Sequence, residues 1–420
     1  MEKKKNTNRK KIVINRTQKN PKLSQNFNIF HKNLHKNFHK KKIFLNNPLV
    51  DSFSGHRDGI VCIQRHNCNS SLFFSGSSDG EIRFWLLNSK KCVKFFPAHN
   101  RFVRKIGVDY KGKFLLSCSD DNTLKLWNIC QIKKPTICFK NKNNPFTTLD
   151  NHPSKYFFTT GGKELLLWDQ LVFRPIQKLI WGISSISCIK FNPEEPNIVC
   201  SSNSDRSLVL YDLRLIRPVN KISLDMCSND ITWNPSFFTE FTIANEDSNL
   251  YTFDLRNPKE TIKTHTEHVM SILCVDSNIN NSTIVTGSAD NTIRFFDNHS
   301  YKNLDIYFTE RMRRVTDLKF SLDGNYLISG SDDGNLRVWN NNFLKISQFS
   351  SITNQLSFDD AKFNNKKFIN PVFFSNFYLL PKLVRTLERL KKILKNNQIK
   401  KKKEKNSHAL PGYLRFNFKI

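Results

Sequence analysis

No stretch of this 420-residue chain approaches the roughly 18 consecutive apolar residues that a membrane-crossing helix needs, so no spanning helix is expected. Paired cysteines are missing too. The ten cysteines (Cys62, Cys68, Cys92, Cys118, Cys130, Cys138, Cys188, Cys200, Cys227 and Cys274) are scattered with no C-x-x-C. Several sit among strand-like residues, where a thiol serves as a small core group, which points to reducing surroundings and away from a zinc site. Met1 to Lys11 runs straight into lysines without the apolar segment of a secretory signal. A transit peptide also fits poorly, because Asn and Lys outnumber Arg and Ser there. The chain has no G-x-S-x-G elbow, no G-x-x-x-x-G-K-[ST] phosphate loop and no metal-ligand spacing, and Gly161-Gly162-Lys163 is too short to replace them. Neither a catalytic residue, a cofactor, a metal nor a small-molecule substrate is expected, and the chain reads as a non-enzyme.

Acidic residues are in short supply at both ends. The formal charge is +30, yet residues 1–48 hold 14 Lys and Arg against one acid and residues 371–420 hold 13 against two. The middle of the chain is nearly balanced, so the positive field lies in the tails and points to an anionic partner such as nucleic acid. Lys, Asn, Ile and Phe are all over-used, as in a chain from an AT-rich reduced genome, and that bias alone can add lysine.

What is present is a repeat. Short runs of small and acidic residues lead into alternating strands that end in an aromatic at Trp85, Trp127, Trp168, Tyr211, Phe253, Phe296 and Trp339, with steps of 42, 41, 43, 42, 43 and 43 residues. A period of about 40–45 residues with G-H and W-D-like signals marks a propeller blade of four antiparallel strands. The fold expected is all-β: a seven-bladed WD-repeat β-propeller over 49–350, with a basic extension at 1–48 and a basic, partly helical segment at 351–420.

In the first repeat, Gly55-His56 precedes a strand from Ile60 to Gln64, Leu72 to Ser75 makes a second, and Ser78-Asp79-Gly80 turns into Glu81 to Trp85. Asp79 lies six residues before Trp85, and the spacing recurs at Asp121, Asp205, Asp247, Asp290 and Asp333; the third repeat has Gly162 instead. Such an Asp accepts hydrogen bonds in a tight turn and connects, through a Ser such as Ser75 or Ser77, to the G-H histidine and the tryptophan. His, Ser and Asp together also resemble a hydrolase triad, but a set repeated around a ring is structural. His56, His99 and His265, each four residues before an apolar residue (Ile60, Val103, Val269), read as copies of one part. The third repeat, without its Asp and histidine, is expected to be the least regular, lacking the polar network of the others. Leu49 to Ser54 and Leu344 to Phe349 compete to close the ring; the first is favoured because Gly55-His56 follows it in register.

Several phrases are more specific than the repeat: Gly55-His56-Arg57-Asp58-Gly59, Trp181-Gly182 with Ser184-Ser185-Ile186-Ser187, Lys190-Phe191-Asn192-Pro193, Trp233-Asn234-Pro235 and the run Ala244 to Arg256. Over about residues 43–340 these resemble the SOF-type WD-repeat family. The resemblance implies a factor of the small nucleolar RNP in the small-subunit processome, nuclear and nucleolar, with processome and snoRNP proteins, pre-rRNA or snoRNA as partners, and no membrane. In a chain of AT-rich origin the nucleolus would be that of a reduced endosymbiont nucleus, a nucleomorph. The segment Leu390 to Lys401 and His408-Ala409-Leu410-Pro411 resembles the family's SOF segment more loosely, with lysine replacing much of the Arg and His.

The same segment reads as an amphipathic helix opening near Pro381, with Leu383, Leu387, Leu390 and Leu394 in a stripe flanked by Val384 and Ile393. That stripe packs on the ring or fills a groove on a partner. Lys392, Lys395 and the block Lys400, Lys401, Lys402 and Lys403 are the candidates for RNA or partner contact, and the block is expected to stay extended until an anion is present; it also suits nuclear import. The resemblance implies a second role: some relatives are substrate receptors of a cullin-type ubiquitin ligase, docking through a W-D-x-R-like box. Asp212 with Arg214 and Asp254 with Arg256 match its D-x-R part, with Tyr211 and Phe253 in place of Trp; alternatively they are strand ends with an exposed Arg.

Overall fold

The computed structural model describes residues 48–341 and 382–407, apart from short segments at 132–133, 142–143, 181–183, 216, 280–282 and 299–302. Trp181-Gly182, Leu344 to Phe349, Pro381, His408 to Pro411 and the extension before Pro48 lie outside the described residues.

Seven four-stranded antiparallel sheets form a propeller. Blade 1 runs from Ile60 to Pro97, blade 2 from Val103 to Lys140, blade 3 from Thr148 to Leu179, blade 4 from Ile186 to Ser223, blade 5 from Ser228 to His265 and blade 6 from Ile272 to Tyr307. Blade 7 has three strands between Val315 and Asn340 and takes its fourth, Leu49–Phe53, from the start of the described chain. In each blade we name the strands a to d from the centre outward. Leu49–Phe53 pairs antiparallel with Leu336–Asn340, with Phe53 opposite Leu336. Phe53 also stacks on Trp85 of blade 1, with ring centroids 5.6 Å apart and planes 6° from parallel. One strand thus completes blade 7 and packs against blade 1, which removes the open edge a partial ring would leave.

The apolar cores lie between blades. Phe74, Ile82 and Phe84 of blade 1 pack against Val103, Ile106, Leu115 and Trp127 of blade 2, and Val285, Ile293 and Phe295 of blade 6 against Leu318, Leu327 and Trp339 of blade 7. Each b or c strand therefore buries both faces, one on each neighbour, which explains why Leu72–Ser77 and Phe114–Ser119 are buried almost throughout. All seven period-setting aromatics are buried. Antiparallel order places every d–a and b–c connection at one end of the ring, the upper face, and every a–b and c–d connection at the lower face.

The polar lacing is less uniform than the repeat suggests. Blade 2 carries the four-part network, and blade 1 carries it with a looser His–Asp contact of 3.7 Å: Ser75 Oγ lies 2.7 Å from His56 Nε2 and accepts from Trp85 Nε1 at 2.8 Å, while Ser117 Oγ lies 2.8 Å from His99 Nε2 and accepts from Trp127 Nε1 at 3.0 Å. In blade 6 the histidine is His268, not His265. It stands four residues before Ile272, where strand a begins, and its nitrogens lie 2.9 Å from Asp290 and 2.6 Å from Thr286 Oγ1. His265 instead ends strand d, buried with its ring 4.7 Å from Phe296. Blade 7 is laced differently: Trp339 Nε1 donates to Ser329 Oγ at 2.8 Å, and Arg337 donates to Ser331 Oγ at 2.8 Å and to Asp333 at 2.5 Å.

The expectation that blade 3 alone lacks the network is therefore corrected. Blades 4 and 5 have their turn Asp but no histidine: Asp205 accepts from Ser207, and Asp247 from Asn249 and the Tyr251 hydroxyl. Blade 3 keeps only the bond from Trp168 Nε1 to Thr160 Oγ1, at 2.8 Å. It is nonetheless a regular four-stranded sheet, because packing between blades does not need the turn acid.

The single described helix, α1 (Lys382–Ser407), has 26 residues. It includes Lys400 to Lys403, so that block is helical, not extended as expected. An uninterrupted run of good helix formers from Lys400 to Lys405 carries the helix through, and intervening backbone hydrogen bonds offset the charge repulsion.

Candidate functional site

Three surfaces bear sequence-predicted residues: the b–c turns, the lower-face ends of strands c, and α1. Asp79, Asp121, Asp205, Asp247, Asp290 and Asp333 occupy the b–c turns of blades 1, 2, 4, 5, 6 and 7. There each carboxylate takes the backbone N–H two residues on, as from Glu81 at 2.9 Å, Thr123 at 2.9 Å and Thr292 at 3.0 Å. In blades 1, 2 and 6 these oxygens bridge to the preceding d–a loop as well, where His99 Nδ1 lies 3.0 Å from Asp121 and His268 Nδ1 2.9 Å from Asp290. Burial pushes the His56 ring down to about 4, against a smaller opposing pull from Asp79, and lowers His99 and His268 as well. Burial raises Asp121 and Asp290, but hydrogen bonds and the facing histidines outweigh it and hold both below the usual carboxylate range. A buried neutral imidazole against a shielded hydroxyl serves as a clasp; Ser75 and Ser117 are wholly buried, so no substrate reaches them. His56, Asp79 and Glu81 also lie close enough together to suggest a cation site. Glu81, however, is held by Arg83 at 2.8 Å and Asp79 by the Glu81 backbone, which leaves a structural cluster.

At the lower face the two D-x-R boxes are alike. Asp212 Oδ1 accepts from the Arg214 N–H and Asp254 Oδ1 from the Arg256 N–H, both at 3.0 Å, so each acid caps its own turn. Both arginine side chains are exposed. With the Asn197 amide oxygen turned toward it, Arg214 also donates from Nη2 at 2.7 Å. The two boxes occupy neighbouring blades in equivalent places.

Helix α1 lies on the upper face of blades 5 and 6. Val384 is buried, Glu388 Oε1 accepts from Arg294 Nη2 at 3.0 Å, and Lys391 Nζ donates to Ser248 Oγ at 2.8 Å and to the His268 carbonyl at 2.5 Å. Arg294 is 1% exposed, and Glu267 at 3.7 Å is its other acidic neighbour, so the helix supplies the nearer counter-charge to a buried guanidinium. The predicted stripe is not what docks: Leu387, Leu390, Ile393 and Leu394 are exposed. Lys392 is exposed; Lys395 and Lys400 to Lys403 are placed on the helix by its backbone alone.

The family model described as "WD domain, G-beta repeat" matches residues 47–85, 90–128, 175–212, 257–297 and 308–340, five of the seven blades. A Xenopus tropicalis protein named "DDB1- and CUL4-associated factor 13" is 38% identical over 267 residues, which is 62% of this chain and 60% of that protein. Its Dictyostelium discoideum namesake is 36% identical over the same length. "Protein SOF1" of Saccharomyces cerevisiae is 34% identical over 286 residues, 61% of this chain and 58% of that protein. The chain carries WD40 repeats and is similar to SOF-type WD-repeat proteins. The matched part spans about three-fifths of these relatives' own lengths.

One feature of this propeller escaped sequence reasoning. Cys62, Lys105, Thr148, Cys188, Asp230, Cys274 and Asp317 occupy equivalent places in the seven a strands, facing Gly76, Cys118, Gly161, Ser202, Ala244, Gly287 and Gly330. Their acids stitch blade to blade. Asp317 accepts from Ile63 N at 2.8 Å and Asp230 from Val275 N at 3.1 Å, and two residues further along their strands Asp150 accepts from Phe191 N at 2.8 Å and Asp276 from Phe320 N at 2.9 Å. Lys105, Lys190 and Lys319 neutralise them at 3.3, 3.4 and 2.7 Å. Burial raises the Asp230 carboxyl, but these three lysines together pull it below the usual range. A signal existed in the sequence: outside blade 3, a strands begin with a β-branched or small residue and carry a Cys, Asp or Lys two places on.

Proposed function

We propose that this chain is a non-catalytic scaffold of the small-subunit processome, linking snoRNP or pre-rRNA with proteins during 18S rRNA maturation in the nucleolus. The observation that carries this reading is the similarity to "Protein SOF1", 34% identical over 286 residues. The clasps that mimic a catalytic triad bind the ring together, in keeping with a platform that performs no chemistry. In this reading 49–350 is the platform, and the basic segments 1–48 and 351–420 are the nucleic-acid grips. Lys392, Lys395 and Lys400 to Lys403 are assigned to phosphate backbone, where contacts position without specifying sequence.

A second reading is favoured by the name "DDB1- and CUL4-associated factor 13" carried by several relatives and by the exposed, paired Arg214 and Arg256. In that reading the lower face docks a cullin adaptor. An exposed arginine contributes little on its own, about 0–1 kcal/mol, so docking would need the surrounding surface as well. The deciding experiment is affinity purification of the tagged full chain with sequencing of the bound RNA, alongside measurement of 18S precursors after depletion. Recovery of a small nucleolar RNA with accumulation of 18S precursors is expected. Normal 18S production with recovery of a cullin adaptor would overturn the scaffold reading in favour of the second.

A further inference from the structure

Three side chains meet on the lower face at the seam between blades 2 and 3. Tyr110 and Lys111 belong to the a–b turn of blade 2, and Tyr156 to that of blade 3. The tyrosine rings stand edge to face, with centroids 4.7 Å apart and planes 69° from parallel, and Lys111 Nζ lies 5.3 Å from one centroid and 5.2 Å from the other. Their polar ends act on one another. Hydrogen bonding to the Tyr156 hydroxyl, and next to that of Tyr110, raises Lys111 above its usual range, and Lys111 in turn holds Tyr156 below its own. Lys111 is exposed and both tyrosines are half-buried. We propose that Tyr110 and Tyr156 form a stacking platform for a base of single-stranded RNA, with Lys111, Lys113 and Lys155 taking the flanking phosphates.

The cluster is not what holds the seam. Each turn closes through its backbone, Asp109 N donating to the Phe114 carbonyl and His152 N to the Phe157 carbonyl, both at 3.0 Å. From blade 1, Asn67 Nδ2 donates to the Asp109 carbonyl at 3.0 Å, and His66 Nε2 lies 3.0 Å from the Gly112 carbonyl. Two rings and an ammonium on turns already fixed are set in place before any ligand arrives. Charge and ring chemistry together select that ligand. The a–b turns 109–113 and 152–156 carry exposed Lys111, Lys113 and Lys155 against one acid, Asp109, which is 2% exposed. The same turn of blade 4 carries exposed Glu194 and Glu195 instead, so the positive patch does not extend there. An acidic peptide answers the lysines alone. RNA answers lysines and rings, because every base has a π face and every linkage a phosphate. In an edge-on-face pair the edge ring keeps both its faces clear of its partner, which leaves ring surface for a base. On the reading that this chain meets RNA, the ring itself thus adds a contact to those of the basic tails.

The test uses the full chain and a uridine 20-mer carrying 4-thiouridine, irradiated and mapped by mass spectrometry, with binding of the same RNA, of inorganic polyphosphate and of polyglutamate followed by fluorescence anisotropy. Crosslinks are expected at Tyr110 or Tyr156 as well as in the tails. Tyr110→Ser with Tyr156→Ser should remove the ring crosslinks and weaken RNA binding by about fivefold or more, while leaving polyphosphate, which has no bases, unaffected. Tyr110→Phe with Tyr156→Phe keeps the stacking surface and should hold RNA affinity within about twofold of the native chain. Should the serine pair loosen the turns, the crosslink map of the native chain decides. Crosslinks confined to 1–48 and 351–420, with native RNA affinity in the serine variant, overturn the proposal and leave the tails as the RNA contact. No RNA binding by the native chain overturns the platform and the tail grips together. A loss in the phenylalanine variant as large as in the serine variant overturns stacking, and equal loss of RNA and polyglutamate in the serine variant overturns it in favour of an acidic peptide.

Discussion

Lowering the pH should loosen this ring well before its carboxylates titrate, and His56 allows the effect to be sized. In the folded chain burial takes its ring down to about 4 from 6.5. Between those values the unfolded chain holds a proton that the folded chain refuses, so stability is full above pH 6.5 and falls as the pH drops toward 4. The gap corresponds to about 3 kcal/mol at its limit, with a slope of up to about 1.4 kcal/mol per pH unit. His99 and His268 shift the same way, so their contributions add in sign. His56→Gln keeps a polar atom within reach of Ser75 but cannot take up the proton. Urea denaturation of both chains at pH 7.0, 6.0, 5.0 and 4.5 reads the effect: the native chain should lose stability toward the variant's level, the gap closing by about 1–3 kcal/mol. If native and variant chains lose stability in parallel, His56 is not buried as a neutral ring and the clasp account of blade 1 fails.

Gly80 has a φ of +82°, and a Cβ there would stand 2.2 Å from the His99 carbonyl oxygen; Gly80→Ala should cost roughly 2–4 kcal/mol in urea denaturation. Thiol labelling of the native chain should reach Cys68, Cys130 and Cys138, which are exposed, and spare Cys62, Cys188 and Cys274, which are buried and whose thiols burial pushes far up; mass spectrometry of labelled peptides reads this directly. If six basic side chains of the tails neutralise phosphates, full-chain binding to single-stranded RNA should fall with a log–log salt slope of about −4, or two to three hundredfold over a fourfold rise, while residues 49–350 alone show a much shallower slope. Arg214→Ala with Arg256→Ala should leave the melting temperature and 18S yield unchanged if these arginines merely end their strands, and loss of 18S precursor processing would contradict that.

Much of the propeller was legible in the sequence because its determinants are local and repeated. A step of 41 to 43 residues sets one blade, the aromatic ends strand c, the turn acid sits six residues earlier, and Leu49 to Phe53 precedes Gly55-His56 in the register that places it beside blade 7. Each is a short-range fact enforced by hydrogen bonding within one hairpin. The histidine of blade 6 was misplaced for a local reason too. Counting from Val269 gave His265, but strand a starts at Ile272, and the longer d–a connection moves the histidine to His268. What tertiary structure alone decided are contacts between distant strands. Asp317 meets Ile63 across the closure, 254 positions apart, and Asp230 meets Val275 and the field of Lys105, Lys190 and Lys319, because the ring brings seven a strands around one axis. The face by which α1 docks is of this kind as well. Helical periodicity selected the leucine stripe, but a buried Arg294 needs a counter-charge more than exposed leucines need cover, so Glu388 and Lys391 turned the helix and left the stripe outward.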